Sequence, residues 1–457
     1  MIRKNIHSTR MTGMDQVIWN LTNDQDLFCI WGIASLEEPL RDDVIKKALQ
    51  YLIQMIPILN SRPATNWFSG EWQFIAKENV DDLIVRFKTD TDETAEAQLK
   101  KVFVSPINAS ENSMIRLISI DGPSKHYFVI QVHHLVVDGE GLKRICVRFA
   151  ENYQELAKDI NWKPPGMLDP NRSWRQIAKY FGLKHFGLIL KAYINIIHAM
   201  TASKIKNRVG YKIAGDADDS KSDDKSHAPS PLYFESIILE KELMLNLKAF
   251  TKQKDVTVND VFMSSLSLAT MTWNKERGDE REWLQFGYTA NLRRWWGEPS
   301  GTFGNFSVIL IHEEDIKNLQ DPSMALANTK SKVDRVKKTI GLDGFVIMMQ
   351  LKLLPYFIVR RFFLRLKNTS IDFVNKCHAM TNIGIMFKEA GEFGHTRANG
   401  YSILAPTLPG GCIVYTITTY HNVTTIYLGC SENYLKKNTA QNFLLLWRQM
   451  LQKVISI

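Results

Sequence analysis

Cysteine is scarce and scattered. Five residues (Cys29, Cys146, Cys377, Cys412 and Cys430) serve a 457-residue chain, and none falls at Cys-x-x-Cys spacing. An odd, dispersed set excludes a disulfide frame and predicts reduced thiols in the cytoplasm. An apolar leader is also missing. Residues 1–20 carry Arg3, Lys4 and Arg10 with no apolar run, so no secretory signal is expected. Long uncharged runs are absent too. Segment 186–200 contains Lys191 and follows Lys184, and segment 345–366 contains Lys352, Arg360, Arg361 and Arg365. Neither reaches the ~18 uncharged apolar residues that would span a bilayer. Three readings stay open for them: core packing, the wall of a channel for a greasy chain, or a peripheral contact with the inner face of an anionic membrane.

What is present is the composition of a folded protein, 45% hydrophobic and 23% charged. Length alone suits roughly two to four domains. Lys+Arg outnumber Asp+Glu by 57 to 48, a net charge of +9. That excess suits nucleic acid, anionic lipid, or phosphate-bearing small molecules and carrier proteins. No nucleic-acid motif accompanies it, and the aromatics do not interleave with basic residues as on a base-stacking surface, so no nucleic acid is expected as a partner. A phosphate-bearing small molecule suits the same charge, as does a basic surface with no single target.

Periodicity predicts a helix, a strand and a longer helix within residues 14–62. Asp42 and Asp43 are expected to cap the longer helix, whose Val44, Ala48, Leu49, Leu52 and Ile53 recur at helical spacing. Pro57 and Pro63 limit its far end. Strands are predicted at 67–75, 83–87 and 115–120, with a short helix at 91–101. An amphipathic helix is predicted at 141–156, with Leu142, Ile145, Cys146, Phe149 and Tyr153 on one side. A long apolar helix or helix pair should occupy 174–206. Residues 215–227 hold no large apolar side chain and cannot offset their ordering entropy, which makes them a linker. Strands then follow at 232–239, 283–289, 306–312, 380–387, 412–420 and 424–430, with helices from 241, over 261–273 and over 438–454. The last two strands read as a hairpin about Tyr420-His421-Asn422. Such alternation predicts an α/β fold. The expected division is 1–205, a linker at 206–231, and 232–457, with no identity-level repeat between the halves.

One stretch carries the chemistry. Residues 128–139 read Phe-Val-Ile-Gln-Val-His-His-Leu-Val-Val-Asp-Gly, a β-branched and aromatic strand that runs into His133 and His134 before Asp138-Gly139 closes a turn. A histidine at a strand end is held by the sheet yet can project into a cleft. Its unperturbed pKa near 6.5 leaves it neutral and basic at cellular pH, as a general base must be. Successive strand residues face opposite sides, so both imidazoles cannot enter one cleft from a regular strand. Only one of the pair can then serve as the base, and the other is left to packing or hydrogen bonding. No metal is expected, because neighbouring histidines without further ligands at the right spacing match zinc poorly.

His133-His134-Leu135-Val136-Val137-Asp138-Gly139 resembles the His-His-x-x-x-Asp-Gly signature of one superfamily. It contains chloramphenicol acetyltransferase, the condensation domains of nonribosomal peptide synthetases, the wax ester synthases and the alcohol acyltransferases. Other segments agree with it in order: Met14-Asp15-Gln16, residues 56–62, residues 256–261, Asn291-Leu292-Arg293, Gly301-Thr302-Phe303-Gly304-Asn305 and Thr381-Asn382-Ile383-Gly384. The loop at 301–305 departs from the Asp-Phe-Gly form of the plant branch, which weakens placement there.

The resemblance implies two chloramphenicol acetyltransferase-like lobes, each a mixed sheet flanked by helices, with an active-site tunnel between them. Only the first half carries paired histidines, so one site is expected. By the same resemblance, His134 accepts the proton of an alcohol or amine as it attacks an acyl thioester, a contribution of ~10²–10⁴-fold, with no covalent acyl-enzyme. Asp138 pairs with Arg293 (Arg294 in reserve) as a structural brace, not as a dyad with His134. The Gly139 N–H helps stabilise the oxyanion, although a turn glycine with φ > 0 would look the same in sequence. The 301–305 loop braces the crevice from the other lobe. No permanently bound cofactor is implied: the donor is acyl-CoA or an acyl group on carrier-protein phosphopantetheine, and the acceptor a small alcohol or amine. The protein is expected to be a monomer, with an acyl carrier protein and a membrane surface as candidate partners. No adenylation or carrier domain accompanies these residues, which favours ester formation or lipid modification over assembly-line peptide condensation. The alternative is a catalytically idle member that binds an acyl ligand or carrier protein. Acyl length, acceptor and pathway stay open.

Overall fold

The computed structural model describes residues 8–22, 28–75, 79–166, 172, 187, 194, 213–216, 232–279, 282–295, 303–338, 355–361, 378–407 and 412–457. The helices expected in 174–206 and most of the expected linker lie outside these residues.

Among the described residues, two six-stranded sheets organise the fold. The first half supplies β1 (Ser8–Arg10), α1 (Gly13–Thr22), β2 (Cys29–Leu36), α2 (Asp42–Met55), β3 (Ser61–Thr65), β4 (Gly70–Phe74), β5 (Ile84–Lys88), α3 (Asp92–Val102), β6 (Ile115–Asp121), β7 (His126–His133) and α4 (Gly139–Lys158). The second half supplies β8 (Leu232–Leu239), α5 (Lys241–Gln253), α6 (Val258–Glu276), β9 (Trp283–Asn291), β10 (Ser307–Asp315), α7 (Pro322–Lys337), β11 (His378–Ile385), β12 (Glu392–Phe393), β13 (Thr396–Leu404), β14 (Ile413–Tyr420), β15 (Val423–Ser431) and α8 (Lys437–Ile455). The first sheet runs β12-β13-β2-β7-β6-β5 and the second β10-β9-β11-β14-β15-β8, while β1-β4-β3 form a small third sheet. Both large sheets are mixed. β5 and β6 are parallel, as β11 is to β14 and β9, and the other ladders are antiparallel. This is the expected two-lobed α/β architecture.

The halves of the chain are interleaved. β13, from the second half, pairs antiparallel with β2, with Leu404 opposite Trp31. Threonines of β14 then stitch the sheets together. Thr418 Oγ1 accepts from the Ile403 N–H and donates to its carbonyl, and Thr416 Oγ1 accepts from Ala405. Each sheet has its own core. Phe128, Ile130 and Val132 of β7 meet α4 through Leu142, Ile145 and Phe149, and α2 through Val44, Ala48 and Leu49. The Phe128 and Phe149 rings stack at 5.0 Å. In the second lobe, α6 is buried along nearly its whole length, and the Trp447 indole donates to Ser265 within it.

Several local expectations change. Asp42 and Asp43 do not cap α2. Arg41 is its N-cap without a side-chain bond, and the two carboxylates sit in the first turn, where the helix dipole favours them, paired with Arg86 and Arg41. Trp67 and Phe68 do not begin a strand. The Asn66 side-chain oxygen accepts from the Phe68 and Ser69 N–H groups, a local turn that makes the two aromatics the tip of the β3–β4 hairpin. The β14–β15 hairpin turns at His421 and Asn422, with φ of +46° and +64°, the left-handed pair that a two-residue type I′ turn needs. Of the apolar-free stretch, Gly215 and Asp216 are described. Asp216 accepts from the Lys436 N–H and the Thr439 hydroxyl, next to a buried Ile213 and an Ala214 carbonyl held by Trp273.

Candidate active site

β7 lies inside the first sheet, flanked by β2 and β6, so its end is held from both sides. His133 closes the ladder opposite Cys29 and is 2% exposed. Its Nδ1 accepts from the Leu135 N–H at 3.2 Å, which places the ring proton on Nε2. Burial, helped by the neighbouring His134, pushes its pKa down to about 3. This imidazole is a neutral structural acceptor.

His134 has already left the ladder. Its N–H donates to the Phe28 carbonyl at 2.8 Å, and its ring stacks on Phe28 with centroids 5.0 Å apart. From the other lobe, Asn305 Nδ2 donates to the His134 and Leu135 carbonyls, both at 2.9 Å. The residue is half-buried, with its Nδ1 fully enclosed. Burial holds its pKa below the ordinary histidine value, against the opposing influence of its own backbone, the Asp138 charge, the Asn305 side chain and the Val137 backbone. The ring is therefore neutral near pH 7 and can accept a proton.

Asp138 faces away from that task. It is the N-cap of α4, with Oδ1 accepting from the Gly141 N–H at 2.9 Å. Its Oδ2 accepts from Arg293 Nη1 at 2.8 Å, and from the Phe306 N–H and the Ser307 hydroxyl at 2.9 Å each. Burial would raise its pKa, but the Arg293 charge and these donors outweigh that and hold it low. Arg293 also donates to the Gly304 carbonyl through Nη2 at 2.9 Å and lies over the Phe306 ring. Loop residues 303–307 thus fasten to the histidine motif at three places, His134, Leu135 and Asp138.

Gly139 opens α4, and its φ is not positive, so the turn-glycine reading is corrected. What glycine supplies there is space. A Cβ would lie 2.7 Å from Ile383 Cδ1 of the second lobe. Ile383 reaches it because β11 bulges between Asn382 and Gly384, with Gly384 at φ +75°. One turn along α4, Lys143 donates to the Ile383 and Ile385 carbonyls at 3.1 and 3.2 Å.

Other contributors carried no signal beyond the local segment resemblance. Asp15 closes the start of α1 with Thr12, accepts from the Trp72 indole at 3.0 Å, and pairs with Arg172 at 2.7 Å. Arg172 donates in turn to the Val136 carbonyl. Arg172, Phe28 and Lys143 carry no local signal in the sequence, because each acts through a partner far away in the chain. The Arg294 side chain lies outside the described residues.

Residues 18–174 match the family described as Condensation domain. Among curated proteins, a 155-residue stretch is 24% identical to a dimodular nonribosomal peptide synthase of Bacillus subtilis (strain 168), covering 32% of this chain and 6% of that protein. The chain thus spans a small part of the length of that relative. Among solved structures, the TRI3 trichothecene 15-O-acetyltransferase from Fusarium sporotrichioides superposes with a TM-score of 0.70 at 9% identity, over 98% of this chain and 95% of that one. The starter condensation domain of rhizomide synthetase RzmA (mutant R148A, in complex with C8-CoA) gives 0.67 at 12% identity, over 98% and 95%.

Proposed function

On the premise that residues 18–174 carry condensation-domain family sequence and the whole chain has that superfamily's two-lobed fold, we propose that this protein is an acyltransferase. It moves an acyl group from a thioester, acyl-CoA or carrier-protein phosphopantetheine, to the hydroxyl or amine of a small acceptor. The observation that carries this reading is His134: a neutral imidazole with Nδ1 enclosed, on a half-buried residue held by Phe28 from one lobe and Asn305 from the other.

The acceptor heteroatom attacks the thioester carbonyl while His134 takes its proton, forming a tetrahedral oxyanion. The first N–H of α4, at Gly139, faces no intrahelical acceptor, and the helix dipole adds positive potential there, which suits the oxyanion. Collapse breaks the C–S bond, and the imidazolium returns its proton to the thiolate. Asp138 has its oxygens committed to Gly141, Arg293, Phe306 and Ser307, so its part is to hold the motif against the second lobe. The C8-CoA complex of the rhizomide starter domain supports a CoA donor, and the peptide-synthase relative supports a carrier-borne one. The described cysteines are buried and none is in a disulfide, in keeping with a reducing, cytoplasmic setting.

Thiol release from acyl-CoA, and from acyl-loaded carrier protein, in the presence of a panel of alcohols and amines tests the reading. Acceptor-dependent release with mass-spectrometric detection of the ester or amide is the expected result. Stoichiometric acyl-ligand binding without turnover on any acceptor would favour the idle binding protein instead.

A further inference from the structure

The β3–β4 hairpin ends in Trp67 and Phe68, which are 75% and 78% exposed. Large aromatic side chains standing adjacent and outward are unusual on a surface where scattered apolar residues are the norm. They do not stand alone. Their carbonyls accept from the N–H groups of Phe357 and Tyr356, at 3.1 and 3.2 Å, so the hairpin tip caps the helical segment at 356–361. The Trp67 and Phe357 rings meet at 6.1 Å. In that segment Tyr356 and Val359 point inward, at 3% and 1% exposure, while Phe357 and Ile358 face out at 40% and 41%. Arg360 and Arg361 follow, both exposed. The fold therefore brings together an apolar knob of four side chains from opposite halves of the chain, with two guanidinium groups one turn away.

We propose that this knob docks the protein on an anionic membrane surface, with Trp67, Phe68, Phe357 and Ile358 entering the headgroup region and Arg360 and Arg361 meeting lipid phosphates. Trp67 and Phe68 stand largely exposed at the tip of a turn, a placement that suits insertion into a bilayer interface and not the enclosing of a ligand. Tryptophan favours that interface, where an apolar body and a polar N–H are both accommodated. No acidic residue occurs within 355–361, and the net charge of +9 acts in the same direction. No described helix is long and apolar enough to cross a membrane, so the contact is peripheral. The inference does not depend on the catalytic reading.

The experiment is co-sedimentation of the full chain with vesicles of phosphatidylcholine, alone or mixed with phosphatidylglycerol, at low and high salt. Binding to the anionic vesicles at low salt is expected, with little to the neutral ones. The exposed double variant Trp67→Ser/Phe68→Ser and the charge variant Arg360→Glu/Arg361→Glu should each weaken it about tenfold or more. Unchanged thermal melts would show that both variants fold. Absence of binding to anionic vesicles, equal binding to neutral ones, or full binding by the aromatic double variant would overturn the proposal. So would a stoichiometric complex with an acidic protein, lost in the same variants, in place of vesicle binding.

Discussion

Asp138 and Arg293 lie 155 residues apart in the chain and meet at 2.8 Å, each side chain 2% exposed. The pair joins the first turn of α4 to the stretch after β9, one lobe to the other. Breaking a buried pair by removing one partner leaves an uncompensated charge, at a cost of ~3–5 kcal/mol. Arg293→Met and Asp138→Asn should each lower the unfolding free energy, read from urea melts, by an amount of that order. The double variant should lose clearly less than the sum, because the second change removes the orphaned group. Strict additivity in a double-mutant cycle would show that the two side chains do not depend on each other.

Gly139→Ala tests how closely the lobes fit. The new Cβ would sit 2.7 Å from Ile383 Cδ1, the end of a flexible side chain, so the expected loss is about 1 kcal/mol, the low end for overpacking. Turnover should fall more than stability, because Gly139 opens the helix beside the reacting carbonyl in the proposed site. Ile383→Ala in the same chain should restore much of both. Urea melts and thiol-release rates on the three variants measure this.

Stability should fall in mild acid. Burial pushes His133 and His312 down to about 3, whereas in the unfolded chain each binds a proton below about 6.5. Between those values the unfolded state holds more protons, so stability is present above pH 6.5 and lost as pH drops toward 3. At pH 5 each histidine should cost on the order of 2 kcal/mol. Urea midpoints from pH 7 to 4.5 check the slope. His312→Gln, whose neighbours include Glu314 and Lys332, should flatten it.

Catalysis should tolerate the same acid better than an ordinary histidine would. Burial lowers the His134 pKa, so the base stays unprotonated below pH 6.5. The acid limb of kcat/KM, measured where the fold is intact, should therefore lie below that value. A limb above 6.5 would mean that the enclosed ring is not the titrating group.

These relationships differ in how far they could be read from the chain. The strand through His133 and the helix after Gly139 were legible because their patterns are local, periods of two and 3.6 over adjacent residues. The Asp138–Arg293 pairing came from family resemblance alone, since nothing in spacing links residues that far apart. β12, β13 and α7 went unread. β13 takes its place by pairing with β2, near the opposite end of the chain, and its run is interrupted by Gly400, where the register shifts. The reason for glycine at 139 was legible only in three dimensions, because the atom it makes room for belongs to a bulge in β11. Arg172 reaches Asp15 and Val136 across folded space, with no local sign of either partner.

The central claim is that the His134 imidazole drives acyl transfer. Its most direct measurement is single-turnover thiol release by the native chain and by His134→Ala, with the urea midpoint of each recorded alongside. The account predicts a fall of ~10²–10⁴-fold in rate with a nearly unchanged midpoint. An acceptor-dependent rate that survives the substitution undiminished would contradict it.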